Sequence, residues 1–533
     1  MSSTRTDPGH VFVIKGDKQH LACDVYLQST DRDLRPGGGW LKAIPDAAER
    51  LDPQERADFH AESRFAIPVR VSDPHSTEAT PVLVAVPYHG TTDADQLRER
   101  VQAYFEVAHD VIAERGQVTT GDRPLVAVPL FANRAGGGGM VVGDILRVLY
   151  DEARHAVARY GYDAVLVLTD ARAYDLAQTI RRRHDGAWSG LSPEELGDAR
   201  RLGADAASGR LVPFMGSGIS VSAGAPTWRD LIQRLAASAG LADDTARALA
   251  GPAHDVLDQA AYLRRAFAGR DRDGDRVFAE AVIEAVDMPR YGLAPALLAS
   301  LTAEQAITLN YDRLFECAAE DAGLPRRVIP GEVSEHERWL LKLHGTVTDP
   351  ASIVLTRADY LGFDADKGAL SSLVKATLMT RRLLFVGFGM SDGHFHEIVH
   401  DVRRALPASA HHFGTVLTLH DDEVTRTLWK GDLDFITFPD DPRRLEVFLD
   451  AVLGHAAETH SYLLAHDYRS TLSGADAKLA GALVELIATL DDEAKSATAW
   501  PLLEAAFVEL GWRASSAHVD LRRSVERRND VRA

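Results

Sequence analysis

Short apolar runs alternate along this chain with longer stretches in which apolar residues recur every three or four positions. The short runs predict buried strands, and the longer stretches predict helices that cover a sheet. In the first 185 residues the pattern predicts a helix at 143–160 and strands at 11–14, 82–86, 125–130 and 164–168. A second series of strands is predicted at residues 211–214, 306–309, 383–388, 415–419 and 435–438. Two α/β units follow from this pattern.

The first strand of the second series runs into a glycine turn, Gly216-Ser217-Gly218, and then into a helix that begins near Trp228. That helix has one apolar stripe at helical spacing, formed by Trp228, Leu231, Ile232, Leu235 and Ala239. Such a turn can cradle a phosphate, because glycines let the backbone approach an anion and the helix start presents free N–H groups. The same turn also occurs without a ligand, so this pattern alone leaves dinucleotide binding open.

Three later segments place polar side chains at predicted strand ends or beside glycines. Asn310 and Asp312 follow the second strand of the series, and His344 directly precedes a glycine. The third strand opens into a loop that contains Gly387 and Ser391. Ligands of doubly wound parallel sheets bind at the carboxyl ends of the strands, so these residues are expected in one site.

In this order the four segments resemble the sirtuin superfamily, and most closely the sirtuin-like proteins of bacterial anti-phage defence. The G-A-G-I-S loop of that family corresponds to residues 216–220, and its G-I-P-D-F-R segment to residues 224–229. Its Asn-x-Asp motif, catalytic histidine and late ribose-binding loop correspond to Asn310 and Asp312, to His344, and to residues 387–391. The resemblance covers roughly residues 205–450 and implies a Rossmann-like sheet that binds NAD.

The resemblance also implies a role for each motif residue in the cleavage of NAD. Asn310 would position a water, since its amide both donates and accepts hydrogen bonds, and His344 would be the general base. Asp312 would hold the nicotinamide end of the site. The remaining residues would bind the diphosphate and the two riboses: Gly216, Ser217, Gly218, Ser220, Arg229, Gly387 and Ser391.

The net charge limits the partners that the sequence predicts, and the cysteine count limits the reaction that it predicts. Acidic residues outnumber basic ones by 78 to 59, a formal charge of −19, so direct nucleic-acid binding is not expected. The arginine-rich stretch at 522–530 also contains acidic residues and is interpreted as a solvated helix face. Cys23 and Cys317 form no Cys-x-x-Cys pair, so the structural zinc ligands of the sirtuin deacylases are missing. An acyl-lysine substrate is therefore disfavoured, and no metal is expected in the site.

One motif supports a different class of enzyme. The run H-E-I-V-H places His396 and His400 one helical turn apart, where they can bind zinc while Glu397 polarises a water. Glu423 would be a third ligand, but it follows two aspartates in what reads as a polar turn. The sirtuin-like fold has an ordinary helix at this place, so a zinc protease is the less favoured interpretation.

The first unit resembles a macro domain at its start and at two glycine loops. Residues 11–17, VFVIKGD, followed by Cys-Asp-Val, match the opening of that family, and Asp17 would meet the adenine amine. Residues 36–39 and 136–139 would be its phosphate loops. Gln28 and Asp31 replace asparagines often used for ribose recognition, so the resemblance implies an ADP-ribose sensor or a degenerate structural copy. That these glycines are only flexible loops remains the alternative.

The predicted division of the chain follows from composition as well as from the motifs. Residues 184–210 are rich in Gly, Ser, Asp and Ala and have no apolar period, which predicts a boundary. The predicted fold is α/β, with a central doubly wound Rossmann-like parallel sheet, a preceding macro-like α/β domain and a following helical tail. The predicted bounds are 1–185 for the macro-like domain, 186–208 for a linker, 209–454 for the catalytic domain and 455–533 for the helical region.

These features predict an NAD hydrolase that releases nicotinamide and ADP-ribose and depletes NAD in bacterial anti-phage defence. No apolar N-terminal segment or long uncharged run is present, so we expect no membrane contact and a cytoplasmic location. An enzyme that drains NAD must be silent in a healthy cell, so the N-terminal domain or an oligomeric partner is the expected restraint. A homo-oligomer is expected, and a partner defence protein is a further expected partner. Two alternatives stay open: an ADP-ribosyl transferase or deacylase at the same pocket, and a non-catalytic module that senses NAD or ADP-ribose.

Overall fold

Two separate β-sheets, both covered by helices, organise the chain. The computed structural model describes residues 8–34, 44, 46–71, 73, 76–86, 93–132, 141–251, 253–269, 273–332, 338–407, 412–458 and 460–512. Each sheet is buried on both faces, as parallel sheets are when helices pack on either side. The predicted α/β class with a helical tail is confirmed.

The N-terminal sheet has six strands in the order β1-β6-β5-β2-β4-β3, and β3 alone runs antiparallel to its neighbour. All six residues of β4 and of β6 are buried. The strands are β1 Val11–Lys15, β2 Val25–Thr30, β3 Ala66–Pro68, β4 Thr80–Ala85, β5 Leu125–Pro129 and β6 Asp163–Leu168. The helices are α1 Pro53–His60, α2 Ala94–Arg115, α3 Val142–Tyr160 and α4 Ala171–Arg182.

The second sheet has seven parallel strands in the order β13-β12-β11-β7-β8-β10-β9. The chain starts in the middle with β7, builds one side through β8, β9 and β10, and then crosses back to build the other side. Ligands bind where the strand order reverses in this way, which here is the gap beside β7. The strands are β7 Leu211–Met215, β8 Gln305–Thr308, β9 Arg327–Ile329, β10 Trp339–Lys342, β11 Arg382–Val386, β12 Gly414–Thr418 and β13 Leu433–Thr437.

The helices of the second unit fall into two groups. Four of them, α6 to α9, are inserted between β7 and β8 and bury a core of their own beside the sheet, which includes Ile232, Leu263 and Val282. Most of the others cover the sheet, whereas α14 buries none of its residues. The full set is α5 Pro193–Ala207, α6 Trp228–Ser238, α7 Asp243–Leu249, α8 Val256–Ala268, α9 Gly274–Val286, α10 Leu293–Ser300, α11 Leu314–Asp321, α12 Arg357–Thr380, α13 Gly393–Ala405, α14 Glu423–Leu428 and α15 Pro442–Ala456. The tail contains α16 Gly474–Thr489 and α17 Trp500–Glu509.

The stretch predicted as a linker, residues 186–208, contains a packed helix. Ser192 and Glu195 form a capping box that starts α5, a strong start signal for a helix. Gly203 lies so close to α15 that a Cβ there would meet the Cβ of His455 at 2.6 Å. The residues that α5 buries are mostly small, and small residues give a weak apolar period, which is why the prediction missed this helix.

A buried charge network joins the two units. Asp450, on α15, and Arg181, on α4, are both 0% exposed and form an ion pair. The same carboxylate is 2.8 Å from His10 Nε2 and accepts a hydrogen bond from Trp188 Nε1 at 3.0 Å. Arg181 and the hydrogen bond with His10 hold the pKa of Asp450 well below its usual range despite its burial. The carboxylate is therefore ionised and paired at the centre of this interface.

A second contact runs from the N-terminal unit to the glycine turn after β7. Thr120 Oγ1 donates to the carbonyl of Val221 at 2.9 Å. Val221 lies in the short 3₁₀ helix Ser217–Ala223, which directly follows Gly216. The loop that carries Thr120 is itself held by Asp24, whose carboxylate accepts from Val118 N and from Thr119 N and Oγ1. The N-terminal unit thus supports the segment that borders the predicted site.

Among the described helices, none combines the length and the apolar composition that a bilayer crossing requires. The predicted helical tail contains α16 and α17. The predicted glycine loops at 36–39 and 136–139 lie outside the described residues, as does the arginine-rich stretch at 522–530.

Candidate active site

A cavity of about 520 Å³ lies at the carboxyl ends of β7, β8, β10 and β11. This volume is within the usual range for pockets that bind small molecules, roughly 300–1,000 Å³. Of the predicted site residues in the second unit, all but Gly218 and Arg229 line it: Gly216, Ser217, Ser220, Asn310, Asp312, His344, Gly387 and Ser391. The structure therefore brings together residues that are up to 175 positions apart in the sequence, as 391 minus 216 gives.

Three glycines let the loops after β7 and β11 touch at the floor of the cavity. A Cβ on Gly387 would lie 2.5 Å from the backbone nitrogen of Ile219, and its φ of +64° is strained for other residues. A Cβ on Gly218 would lie 2.7 Å from Gly387 Cα. The Gly218 amide donates to the Gly387 carbonyl at 3.0 Å, and the Gly216 amide donates to the Val386 carbonyl at 3.0 Å. Because both amides already donate to backbone carbonyls, they are not free to bind an anion. Other groups must do so.

Asn310 is oriented by a short chain of hydrogen bonds. Its Nδ2 donates to Ser220 Oγ at 3.1 Å, and Ser220 Oγ donates to Asp312 Oδ2 at 2.7 Å. Asp312 Oδ1 in turn accepts from the backbone nitrogen of Leu314 at 3.0 Å. Because the amide nitrogen is committed to Ser220, the Oδ1 of Asn310 is the atom left to accept a hydrogen bond. The serine predicted to bind ligand thus also fixes the rotamer of the predicted catalytic amide.

Lys342 supports this loop from below, a role that the sequence analysis missed. Its ammonium is nearly fully buried and donates to the carbonyls of Tyr311 and Asp312 and to Glu316 Oε1, the last at 2.6 Å. Burial raises the pKa of the Asp312 carboxyl, while Ser220 and Lys342 oppose that rise. The Lys that precedes Leu-His-Gly in the sequence was the available signal for this residue.

His344 lies at the end of β10 in a largely apolar and aromatic setting. Burial lowers the pKa of its imidazole to about 4, although the carboxylate of Asp392 opposes the shift. Its Nε2 is 3.7 Å from Asp392 Oδ2, which also accepts from the hydroxyl of Tyr360 at 2.7 Å. Sequence analysis gave neither residue a role in the site: Asp392 directly follows Ser391 in the late loop motif, and Tyr360 belongs to no motif.

Two residues that line the cavity have a buried hydrogen-bond acceptor that no described residue satisfies. In the described part of the chain, neither Asn310 Oδ1 nor His344 Nε2 has a hydrogen-bond partner. Buried polar atoms are nearly always paired, and an unpaired one costs about 1–3 kcal/mol. Both residues line the same cavity. A ligand or water that offers two hydrogen-bond donors would satisfy both atoms at once.

The remaining predicted residues lie elsewhere. Arg229 is exposed at the second position of α6. Asp17 is in the N-terminal unit, where its amide donates to the hydroxyl of Tyr291 at 3.0 Å and its Oδ1 accepts from Gln19 N at 2.9 Å. The ligand-binding roles predicted for Arg229 and Asp17 stay predictions.

The H-E-x-x-H residues lie on the outer face of α13. His396, Glu397 and His400 are all exposed. His396 Nε2 lies 2.8 Å from the Met390 carbonyl, a hydrogen bond that competes with metal coordination by that atom. The motif thus lies on an open helix face rather than in a cleft, which does not favour the zinc protease interpretation.

Comparison with known proteins agrees with the sirtuin-like interpretation. A family model described as a SIR2-like domain matches residues 304–433. The NAD(+) hydrolase ThsA of Enterococcus faecium is 28% identical over 205 residues, which are 37% of this chain and 41% of that protein. Defense-associated sirtuin 2 of Bacillus subtilis is 26% identical over 214 residues, 38% of this chain and 20% of that protein. The matches thus span about two fifths or less of these curated relatives.

A solved structure was also found to be similar. A macrodomain mutant of Oceanobacillus iheyensis is 12% identical, with a TM-score of 0.24, and the match covers 33% of this chain and 92% of that protein.

Proposed function

We propose that this chain hydrolyses NAD to nicotinamide and ADP-ribose, on the premise that residues 304–433 match a SIR2-like domain. The observation that carries the proposal is the pair of unpartnered buried acceptors, Asn310 Oδ1 and His344 Nε2, in one cavity. The first relatives bear the names NAD(+) hydrolase and defence-associated sirtuin, and this similarity supports the same reaction here.

The reaction needs positioning more than a strong nucleophile. The positive pyridinium weakens the bond between nicotinamide and ribose, and the transition state carries positive charge on the ribose. When this bond breaks, its electron pair stays with nicotinamide, which leaves as a neutral molecule. The oxygen of a water then bonds to the ribose carbon, and one proton is released. Each step requires a group that is already in place before the bond breaks.

The residues of the cavity can supply those groups. Asn310 Oδ1 would accept a hydrogen bond from the attacking water, and His344 Nε2 would accept from a ribose hydroxyl and take up the released proton. The buried carboxylate of Asp312 would favour the positive charge that develops beside it. The glycine loops of Gly216 and Gly387 would let the diphosphate approach the backbone closely. No step needs a metal ion.

The burial of His344 predicts an unusual pH dependence. Burial lowers the imidazole pKa from 6.5 to about 4, so the neutral form that accepts a proton predominates at every pH above about 4. We expect kcat/KM for NAD to show no histidine limb near pH 6.5 and to fall only as the pH approaches 4. The measurement is a pH–rate profile, with circular dichroism at each pH to confirm the fold. A limb centred near 6.5 would contradict the proposed burial of the base.

We further propose that the reaction acts in anti-phage defence by depletion of NAD. The name of the Bacillus subtilis relative supports a role in defence. On this proposal the chain acts in the cytoplasm, and a homo-oligomer or a partner protein keeps it silent until infection. Purified protein incubated with NAD, with and without phage lysate, tests this proposal. ADP-ribose attached to protein instead of free ADP-ribose would favour the transferase alternative, and binding without turnover would favour a sensing module.

The N-terminal unit is proposed to bind ADP-ribose or a related nucleotide and to alter the rate of the second unit. A chain of contacts supports such coupling. Two residues that follow Asp17 form backbone hydrogen bonds with Tyr291. The Tyr291 nitrogen donates to the His20 carbonyl at 3.0 Å, and the Tyr291 carbonyl accepts from Ala22 N at 2.8 Å. The next residue, Gly292, packs so tightly that a Cβ would lie 2.2 Å from Ser222 Oγ, in the 3₁₀ helix that borders the cavity.

We expect Asp17→Ala to weaken ADP-ribose binding about tenfold, the effect of one lost hydrogen bond of roughly 1.4 kcal/mol. Calorimetry would compare the full-length His344→Ala protein with and without Asp17→Ala, so that turnover does not obscure the heats. If the two titrations are identical, and Asp17→Ala also leaves NAD cleavage and its regulation unchanged, the N-terminal unit is a scaffold.

A further inference from the structure

We propose that His344, Asp392 and His394 form a binding site for a divalent transition-metal ion such as zinc, and that the bound ion inhibits NAD cleavage. This inference rests on the proposed function, because the ion would occupy the nitrogen of His344 that serves as the base. The site lies at one wall of the cavity, where β10 ends and α13 begins. It is distinct from the H-E-x-x-H run, which lies on the exposed face of α13.

The spacing of the three side chains suits one metal ion. One ligand atom from each residue lies within 4.8 Å of the other two, and His344 Nε2 is 3.7 Å from Asp392 Oδ2. Tetrahedral ligands at zinc bond lengths of about 2.0–2.2 Å lie about 3.4 Å from one another. Closing the triad around an ion therefore needs shifts of about an ångström at side chains on two adjacent loops. Two imidazoles and one carboxylate are a common ligand set for zinc.

The surrounding hydrogen bonds have the arrangement found around metal sites. A histidine that binds a metal through one nitrogen generally donates its other N–H to a carbonyl or a carboxylate. His394 Nε2 is 3.0 Å from the Tyr360 carbonyl, which leaves Nδ1 as the coordinating atom. The hydroxyl of the same tyrosine donates to Asp392 Oδ2, and Asp392 Oδ1 accepts from Phe395 N at 2.9 Å at the start of α13. Tyr360 thus orients two of the three ligands.

The burial of the two histidines points to an occupant. His344 is 5% exposed and His394 is 8% exposed. Within the described residues, His344 Nε2 and His394 Nδ1 both lack a hydrogen-bond partner. Two unpaired imidazole nitrogens and a carboxylate facing one another in a buried wall form a ligand set that a divalent cation satisfies and that a single water satisfies only in part.

The inhibition follows from the shared atom. While a metal ion holds the Nε2 lone pair of His344, that nitrogen cannot accept a proton from a ribose hydroxyl. NAD and the ion would therefore exclude each other at the base. Metal chelators should leave the activity of metal-free protein unchanged and should restore that of zinc-treated protein.

The test uses full-length protein dialysed against EDTA and then titrated with Co²⁺ or Zn²⁺. We expect one ion per chain, a visible absorption band for Co²⁺ typical of four or five ligands, and at least a tenfold loss of NAD cleavage at saturating Zn²⁺. His394→Phe retains an aromatic ring against Tyr360 and Phe363, whose ring centroids each lie 4.2 Å from that of His394. This variant should cleave NAD at the wild-type rate, lose the Co²⁺ band, bind Zn²⁺ about a hundredfold more weakly, and resist inhibition.

His396→Ala, on the exposed face of α13, is the matched control and should bind Zn²⁺ as the wild type does. Should His394→Phe fail to fold, His394→Gln provides the same comparison with a smaller side chain. The proposal is overturned if wild-type protein binds no ion, if His394 variants bind it equally well, or if bound Zn²⁺ leaves cleavage unchanged or increases it. The Co²⁺ band needs no turnover, so the metal site can be tested even if the protein does not cleave NAD.

Discussion

Replacing His344 by alanine should lower the rate of NAD cleavage about a hundredfold or more, the usual cost of removing a general base. Asn310→Ala should lower the rate by about the same factor, because the attacking water loses the hydrogen-bond acceptor that holds it. Both side chains are buried in the cavity, and each has an acceptor that the free protein leaves unpaired. The measurement is kcat and KM for NAD with each purified variant.

His400→Ala is the matched control for this pair, because His400 is exposed on α13 and has no part in the proposed chemistry. It should cleave NAD at the wild-type rate. Circular dichroism and the melting temperature should be close to wild type in all three variants. Full activity of both His344→Ala and Asn310→Ala, with the fold intact, would refute their assignment as catalytic residues.

The Asp450→Asn substitution should destabilise the protein by about 3–5 kcal/mol, because it leaves the guanidinium of Arg181 buried without a counter-charge. Both side chains are 0% exposed, so water cannot replace the lost partner. The neutral amide introduced by this substitution would also serve Trp188 Nε1 and His10 less well than the carboxylate that now contacts them. Chemical denaturation followed by circular dichroism would measure the free energy of unfolding.

The control for Asp450 is an exposed ion pair. Asp244 and Arg247 are 95% and 76% exposed, and Asp244→Asn should change stability by no more than about 0.5 kcal/mol. If Asp450→Asn were as mild as Asp244→Asn, the buried network between the two units would contribute little to the fold.

Much of the second unit could be predicted because its signals are local. The strand at residues 211–214, the glycine turn after it and the apolar stripe that begins near Trp228 correspond to β7, Ser217–Ala223 and α6. Short apolar strands buried on both faces are recognisable without their neighbours. Their polar ends then indicate which residues meet, because all carboxyl ends of a parallel sheet lie on one edge.

What the sequence could not predict depends on contacts between distant segments. Gly218 was predicted to border the diphosphate or a ribose, but its amide bond to the Gly387 carbonyl, nearly 170 residues away in sequence, could not be predicted. Tyr360 belongs to no motif and enters the site only because α12 packs beside α13. The sequence predicts a linker in place of helix α5 because most of the buried positions of that helix are small residues, with Leu202 as the large apolar one.

In the N-terminal unit, too, local strand patterns could be predicted and contacts between distant segments could not. Its strands were predicted to within about two residues at β1 and β5, whereas β2, which contains three polar residues, and the three-residue edge strand β3 were missed. Asp17 was chosen for its place after β1, and the structure shows that its amide bonds to Tyr291 of the second unit. A contact between units of this kind leaves no periodic signal in either segment.

The most direct test of the central claim is to incubate purified full-length protein with NAD, with and without phage lysate, and to separate the products by chromatography. We predict nicotinamide and free ADP-ribose in equal amounts from the wild-type protein, and about a hundredfold less of both, or lower still, from Asn310→Ala. Binding of NAD without release of nicotinamide under both conditions would contradict the assignment of this site as that of an NAD hydrolase.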